Sequence, residues 1–271
     1  QMTIPTIKLN DGNCIPQIGL GLWQNKDEAE FKQAFDAAIK AGYTHFDSAQ
    51  AYDNEQFLGA AMQNQKREDL FVTTKIAVQH FGYNNAQKTF QESLKKLQTD
   101  YVDLLLLHFP VPILRKKSWL ALEEIKKTGG AKSIGVSNYT VKHLEEMKQY
   151  ASVMPVVNQV ELHVFLQQPE LLEYCAANNI VVEAYSPLAH AKDMDNQVVA
   201  DIAAKHQKSY AQIMLRWCLQ KGLVVLPKSV TSSRIQENMN IFDFELDAED
   251  MQQLTAQDRD LRTCWSPVHV P

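Results

Sequence analysis

The sequence predicts an α/β protein of the (β/α)8 class, a TIM barrel. Three observations carry that expectation. Short apolar runs alternate with amphipathic helical patterns along nearly the whole chain. The length of 271 residues, with 45% apolar side chains, suits such a barrel closed as one domain spanning 1–271. The apolar runs also end on functional side chains: Asp47, Lys75, His108, Ser137-Asn138, Gln159-Glu161, Tyr185-Ser186 and Lys228-Ser229. In these barrels active sites sit at the C-terminal strand ends.

Taken in order, Ile7-Lys8-Leu9, the turn Asn10-Asp11-Gly12-Asn13 and Cys14-Ile15-Pro16 read as an N-terminal β-hairpin able to plug the barrel bottom. Residues 18–23 form a first strand ending on Trp23. Phe31, Ala34, Phe35 and Ala38 then keep helical spacing up to the stop at Gly42. Strands follow at 43–47, 70–75, 101–108, 133–137, 156–161, 180–185 and 223–227. Residues 101–108 are almost continuously apolar, as expected of a strand buried on both faces. Between the strands lie helices at 54–63, around Ala86, Phe90, Leu94 and Leu97, around Trp119, Leu122 and Ile125, after an N-cap at Thr140, from Pro169, and at 197–206, 209–220 and 232–240. An extra C-terminal helix occupies 247–257, and the tail 258–271 is expected to pack over the barrel mouth.

The net charge is −5 and no basic stripe interleaves with aromatics, which argues against nucleic acid. No run of eighteen apolar residues suggests a membrane span, and no secretory leader opens the chain. Gln1 before Met2 looks like a remnant of processing. Cys14, Cys175, Cys218 and Cys264 are scattered, without C-x-x-C spacing, and read as reduced thiols in a cytoplasmic protein. The histidines lack metal-binding spacing, so no metal is expected.

The segment around Asp47 and Tyr52 organises the chemistry. If the strands are parallel neighbours, Asp47, Tyr52, Lys75 and His108 face one cavity as an acid, a phenol, an amine and an imidazole. A nearby ammonium, itself held by Asp47, is expected to lower the phenol's pKa; a drop of roughly two to three units would take about 3–4 kcal/mol. His108 can donate a hydrogen bond to a substrate oxygen. This set suits protonation of a carbonyl oxygen while a cofactor attacks the carbon. There is no G-x-G-x-x-G after a first strand, so a Rossmann site is excluded. Instead, residues 226–238 leave the eighth strand and open a helix, the usual phosphate position in these barrels, with Lys228 and Arg234 as local positive charge. Glu237 and Asn238 suit an adenine edge, and Tyr185 offers a face for a flat ring.

These residues together resemble the aldo-keto reductase superfamily, in its bacterial 2,5-diketo-D-gluconate reductase branch. The carriers are Gly19-Leu20-Gly21-Leu22-Trp23, Asp47 with Tyr52-Asp53-Asn54-Glu55, Thr74-Lys75, Leu107-His108-Phe109-Pro110, Ile134-Gly135-Val136-Ser137-Asn138-Tyr139, Asn158-Gln159-Val160-Glu161-Leu162-His163, Glu183-Ala184-Tyr185-Ser186-Pro187-Leu188 and the segment 226–238. The resemblance implies a monomeric barrel that reduces aldehydes, α-dicarbonyls or keto-sugars with NADPH. It implies Asp47, Tyr52, Lys75 and His108 as a catalytic tetrad with Tyr52 as proton donor. Ser137, Asn138 and Gln159 would hold the carboxamide, Tyr185 would stack on the nicotinamide, and Ser186 and Leu188 would line the pyrophosphate path. Lys228, Ser229, Val230 and Arg234 would surround the 2′-phosphate, with Glu237 and Asn238 at the adenine.

The chain departs from the family pattern at Ala77, Phe109 and Val164, where Trp, Trp and Pro are usual. A wider, less aromatic substrate pocket is therefore expected, walled by Trp23 and Phe109 and reached by Tyr52 and His108. Two other readings use the same residues: a lyase with Lys75 as Schiff-base amine, and a non-catalytic NADPH-binding sensor or docking protein.

Overall fold

A computed structural model describes residues 4–192 and 194–271, so Gln1 and Met2 lie outside the described residues. The hairpin pairs β1 (Thr6–Lys8) with β2 (Cys14–Pro16), Ile7 opposite Ile15. Eight parallel strands follow in sequence order: β3 (Leu20–Gly21), β4 (His45–Asp47), β5 (Phe71–Ile76), β6 (Val102–Leu107), β7 (Ala131–Ser137), β8 (Val157–Glu161), β9 (Val181–Tyr185) and β10 (Val224–Leu226). The first and last meet along a short seam, where Gly19 N–H donates to Val225 O at 2.9 Å and Gly21 N–H to Pro227 O at 3.0 Å.

The helices are α1 (Glu28–Ala41), α2 (Glu55–Ala61), α3 (Tyr83–Leu97), α4 (Arg115–Lys127), α5 (Val141–Met147), α6 (Pro169–Ala177), α7 (Gln197–His206), α8 (Tyr210–Gln220), α9 (Ser232–Met239) and α10 (Ala248–Thr255). Their starts follow the side chains: Asp27, Thr140, Ser209 and Asp247 each accept the N–H three residues on. Pro169 takes the first turn of α6. None of these helices is long and apolar enough to cross a membrane.

Strand alternation divides the core in two. Leu104 and Leu106 point into the barrel, where they pack with Phe71, Val157, Val224 and Leu226; Leu9 and Ile15 of the hairpin close this cluster from below. Leu105 and Leu107 point outward into the layer between sheet and helices, with Phe46, Trp119 and Val136. One near-continuous apolar run thus feeds two cores.

Most elements are shorter than the sequence suggests, above all β3. Two departures have local causes. The helix expected at 54–63 ends at Ala61 and continues as a 3-10 turn. It lies so close to α3 that a Cβ on Gly59 would stand 2.2 Å from Lys96 O. Asn54 does not cap that helix with its side chain. Its amide donates to Leu22 O at 2.8 Å and Asn25 O at 3.1 Å, and its carbonyl accepts from Ser48. It ties the loop after β3 to the loop after β4.

Candidate active site

Parallel pairing brings Asp47, Lys75, His108, Ser137, Gln159 and Tyr185 to one mouth. Asp47 ends β4 and Lys75 is the fifth residue of β5. Lys75 is fully buried, and its ammonium has three donors to place. They go to Asp47 Oδ1 at 2.5 Å, Ser48 O at 2.9 Å and Tyr52 Oη at 3.2 Å. Burial pulls the ammonium's pKa down, but Asp47 and Tyr52 more than offset it and the net direction is up. Lys75 is therefore charged with every N–H committed, and it has no lone pair to attack a carbonyl. The Schiff-base reading finds no support here.

The expected drop in the Tyr52 pKa is not what the geometry gives. Burial pushes the phenol up, Lys75 pulls it down, Asp47 pushes it up again, and the net direction is up. The reason is burial first, which outweighs the pull of Lys75, and then the Asp47 carboxylate, which offsets part of that pull. Tyr52 is held as a neutral donor. The ring of His108 meets that of Tyr52 edge-on, with centroids 5.7 Å apart. Burial, and then Lys75, push the imidazole down to about 3. A neutral ring keeps one N–H to donate and adds no charge.

The second half of the mouth is a relay of amides. The Gln159 side chain donates to Asp47 Oδ2 at 2.8 Å, and Ser137 Oγ donates to the Gln159 backbone carbonyl at 2.9 Å. Asn138 donates to His108 O at 3.1 Å and accepts from Tyr185 Oη at 2.6 Å. It has φ +62°, a left-handed conformation that Asn tolerates better than most residues. Beyond Tyr185, Ser186 Oγ lies 2.8 Å from His190 Nε2, and Leu188 is half-buried against the core.

The segment after β10 fits a phosphate. Thr231 precedes α9 but gives it no side-chain cap, so the first N–H groups of that helix are left to a ligand or solvent. Lys228 and Arg234 are exposed beside it, and Ser229 Oγ accepts from Thr231 N at 3.1 Å. Val230 and Glu237 are half-buried in the same segment, and Asn238 is buried in α9. On the substrate side Trp23 is exposed at the rim, its ring edge-on to His190, and Phe109 is half-buried beside His108.

Sequence reasoning missed the roles of three organisers. Gln50 accepts from Ala77 N at 2.9 Å, contacts His80 Nδ1 at 2.8 Å and donates to Ser93, fixing the wall where Ala77 stands. Glu161 anchors the tail: its carboxylate accepts from Thr263 N at 2.7 Å, Thr263 Oγ1 at 2.5 Å and Cys264 N at 2.9 Å. Burial alone would raise its pKa, but His163 and these donors bring it down to about 2. Glu183 lies in the barrel interior below the tetrad, near His45. Only polarity inside an apolar strand pattern could have signalled it. A cavity of about 500 Å3 between the hairpin, α6 and α8 lies at the other end of the barrel. It gathers no acid, phenol or imidazole, so chemistry rather than concavity locates the site.

A parallel eight-stranded barrel, a Tyr–Lys–Asp–His cluster at its mouth and a basic, uncapped helix start after its last strand suit a nucleotide-dependent oxidoreductase. Residues 17–259 match the Aldo/keto reductase family. The chain is 44% identical over 264 residues to a glyoxal reductase of Bacillus subtilis, covering 97% of this chain and 96% of that one. It is 43% identical to the methylglyoxal reductase DkgA of Escherichia coli, covering 96% of each. An aldo-keto reductase of Bombyx mori, solved in complex with NADP, superposes with a TM-score of 0.91 at 34% identity, covering 97% of this chain and 95% of that one. The chain belongs to the aldo-keto reductase family. It is an NADPH-dependent oxidoreductase that reduces aldehyde or ketone carbonyls.

Proposed function

We propose that the protein reduces small α-dicarbonyls and related aldehydes, with Tyr52 as the proton donor and Asp47, Lys75 and His108 completing the tetrad. The observation that carries the reading is Lys75 Nζ bridging Asp47 and Tyr52 inside the mouth. Bound NADPH supplies the hydride. Tyr52 gives its phenolic proton to the carbonyl oxygen as charge develops there. The neutral His108 donates a hydrogen bond to the same oxygen and orients the substrate. Asp47 keeps Lys75 charged, and Lys75 stabilises the phenolate left behind.

Ser137, Asn138 and Gln159 would hold the carboxamide and Tyr185 the nicotinamide face, with Ser186 and Leu188 along the pyrophosphate. Lys228, Ser229, Val230 and Arg234 would take the 2′-phosphate, and Glu237 and Asn238 the adenine. Two exposed cations beside an uncapped helix start favour a phosphate over a ribose hydroxyl, hence NADPH over NADH. Trp23 and Phe109 wall a pocket opened by Ala77, and both named bacterial relatives are reductases of two-carbonyl compounds.

The test is NADPH consumption with glyoxal, methylglyoxal, a simple aldehyde and a keto-sugar. Turnover with the dicarbonyls ahead of the others is expected. Preference for the keto-sugar would overturn the substrate class, and tight NADPH binding with no turnover would favour a sensor. We further propose one monomeric barrel domain working in the cytoplasm. Four free cysteines support that compartment. A monomeric elution volume and one cooperative unfolding transition are expected; a dimer or two transitions would count against it.

A further inference from the structure

Below the tetrad the barrel interior holds two more ionisable groups. Glu183 of β9 lies between Gln159 of β8 and Val224 of β10 in strand register. Its side chain is fully buried, as is that of His45 on β4, and His45 Nε2 stands 3.9 Å from Glu183 Oε2. That distance is too long for a hydrogen bond. Neither Glu183 oxygen has a hydrogen-bond partner among the described residues, and His45 Nε2 and Thr73 Oγ1 have none either. Room for His45 comes from Gly19, where a Cβ would approach the imidazole to 2.7 Å. The groups acting on Glu183 come from three other strands: His45 and Asp47 on β4 and Lys75 on β5, across the barrel, and the amide of Gln159 on the adjacent β8, while β10 brings the apolar Val224. Lys75 has its three donors committed elsewhere, and the Gln159 amide points to Asp47.

A buried carboxylate with no donor and no free cation among the described residues is far costlier than a carboxylic acid. We propose that Glu183 is a positioning residue that works as a neutral acid. Beneath the tetrad it keeps Asp47 as the sole negative charge facing Lys75, and so leaves the ammonium shared between Asp47 and Tyr52. Burial and the nearby Asp47 both push the Glu183 carboxyl up, against weaker pulls from Lys75 and Gln159. Burial holds His45 low, at about 4, so the contact joins two neutral groups. When Glu183 ionises at alkaline pH, a second carboxylate competes for Lys75. Tyr52 then loses part of its electrostatic support, and the alkaline limb of turnover contains this ionisation.

The inference rests on Tyr52 as the acid, so its test has two readouts independent of turnover. Glu183→Gln mimics the neutral acid. It should keep kcat/KM within about twofold at pH 6.5 and move the alkaline limb up by about half a pH unit or more. A carboxyl raised on folding loses stability as pH rises from its unfolded value toward its folded one. The glutamine variant should therefore match the wild type near pH 4 and gain in Tm steadily toward pH 9. In wild-type protein, infrared difference spectra should show a protonated carboxyl band that fades on alkaline titration and is missing in Glu183→Gln. Glu183→Met, close in volume and uncharged, should also keep its activity at pH 6.5 and repeats the test should the glutamine variant misfold. A more than tenfold loss in both variants at every pH would assign an ionised carboxylate and overturn the proposal. A limb that superposes on the wild type, with no difference band, would do the same. A band and Tm gain with an unmoved limb would place the failure in the Tyr52 assignment or in its coupling, not in the protonation of Glu183.

Discussion

The two ends of this barrel are built from the same strands and obey opposite rules. At the floor, Phe71, Leu104, Val157 and Val224 pack on Leu9 and Ile15 of the hairpin, and shape complementarity is the whole purpose. At the mouth, two to four residues further along, β5, β6 and β8 lead to Lys75, His108 and Gln159, and β4 adds Asp47, each committed to a named partner or held neutral. The lesson is that stability and chemistry are separated along the strand direction. A change at one end should leave the other largely intact.

The sharpest way to break that separation is Tyr52→Phe. Removing the proposed proton donor should lower kcat by roughly 10²–10⁴-fold while the NADPH Kd, read by tryptophan fluorescence, stays within about twofold. Equal loss of binding would mean that the mouth is not organised as described. The converse is Ile15→Ala at the floor, which should cost about 2–4 kcal/mol in denaturant unfolding with kcat unchanged at saturating substrate. A large fall in kcat there would show that the floor reaches the chemistry.

Glu161 tests the boundary between the two. Its pKa falls on folding, so its stabilising effect is present above the unfolded value of about 4.3 and lost as pH drops toward 2. Glu161→Gln should lower Tm at pH 7 by the equivalent of roughly 2–3 kcal/mol, with the difference closing at acid pH. It should also loosen the tail, raising the KM for substrate. A constant Tm difference at all pH values would rule out the charged anchor. The mildest change is Lys228→Ala. Losing one exposed cation should raise the NADPH KM about tenfold and leave that for NADH nearly unmoved. Parallel changes for both nucleotides would detach Lys228 from the 2′-phosphate.

The alternation of strand and helix was legible because each strand run is apolar and each helix keeps its 3.6-residue spacing. The mouth was legible because Asp47, Lys75, His108 and Gln159 interrupt apolar runs at strand ends, where packing gives no reason for them. Three things were not. Glu183 sits inside the run Val181-Val182-Glu183-Ala184-Tyr185, and one carboxylate there cannot be told from a strand-end residue until register is known. The bond from Glu161 to Thr263 joins residues that no local pattern relates. The direction of the Tyr52 shift depends first on burial and then on how far Asp47 offsets Lys75, which are matters of depth and distance, not spacing.

The seam between β3 and β10 carries a kinetic consequence. It is the only register linking the first barrel strand to the last among the described residues, and it places Gly21 beside Lys228. About three-quarters of the chain separates those partners, so the loop-closure entropy falls on a handful of backbone hydrogen bonds. Trp23 and Lys228 stand on opposite sides of that join. A chain on its way to the native state gains the proposed substrate wall and the proposed phosphate cradle in the same event, when the circle shuts. Recovery of nucleotide binding during refolding should then lag behind the recovery of helical signal.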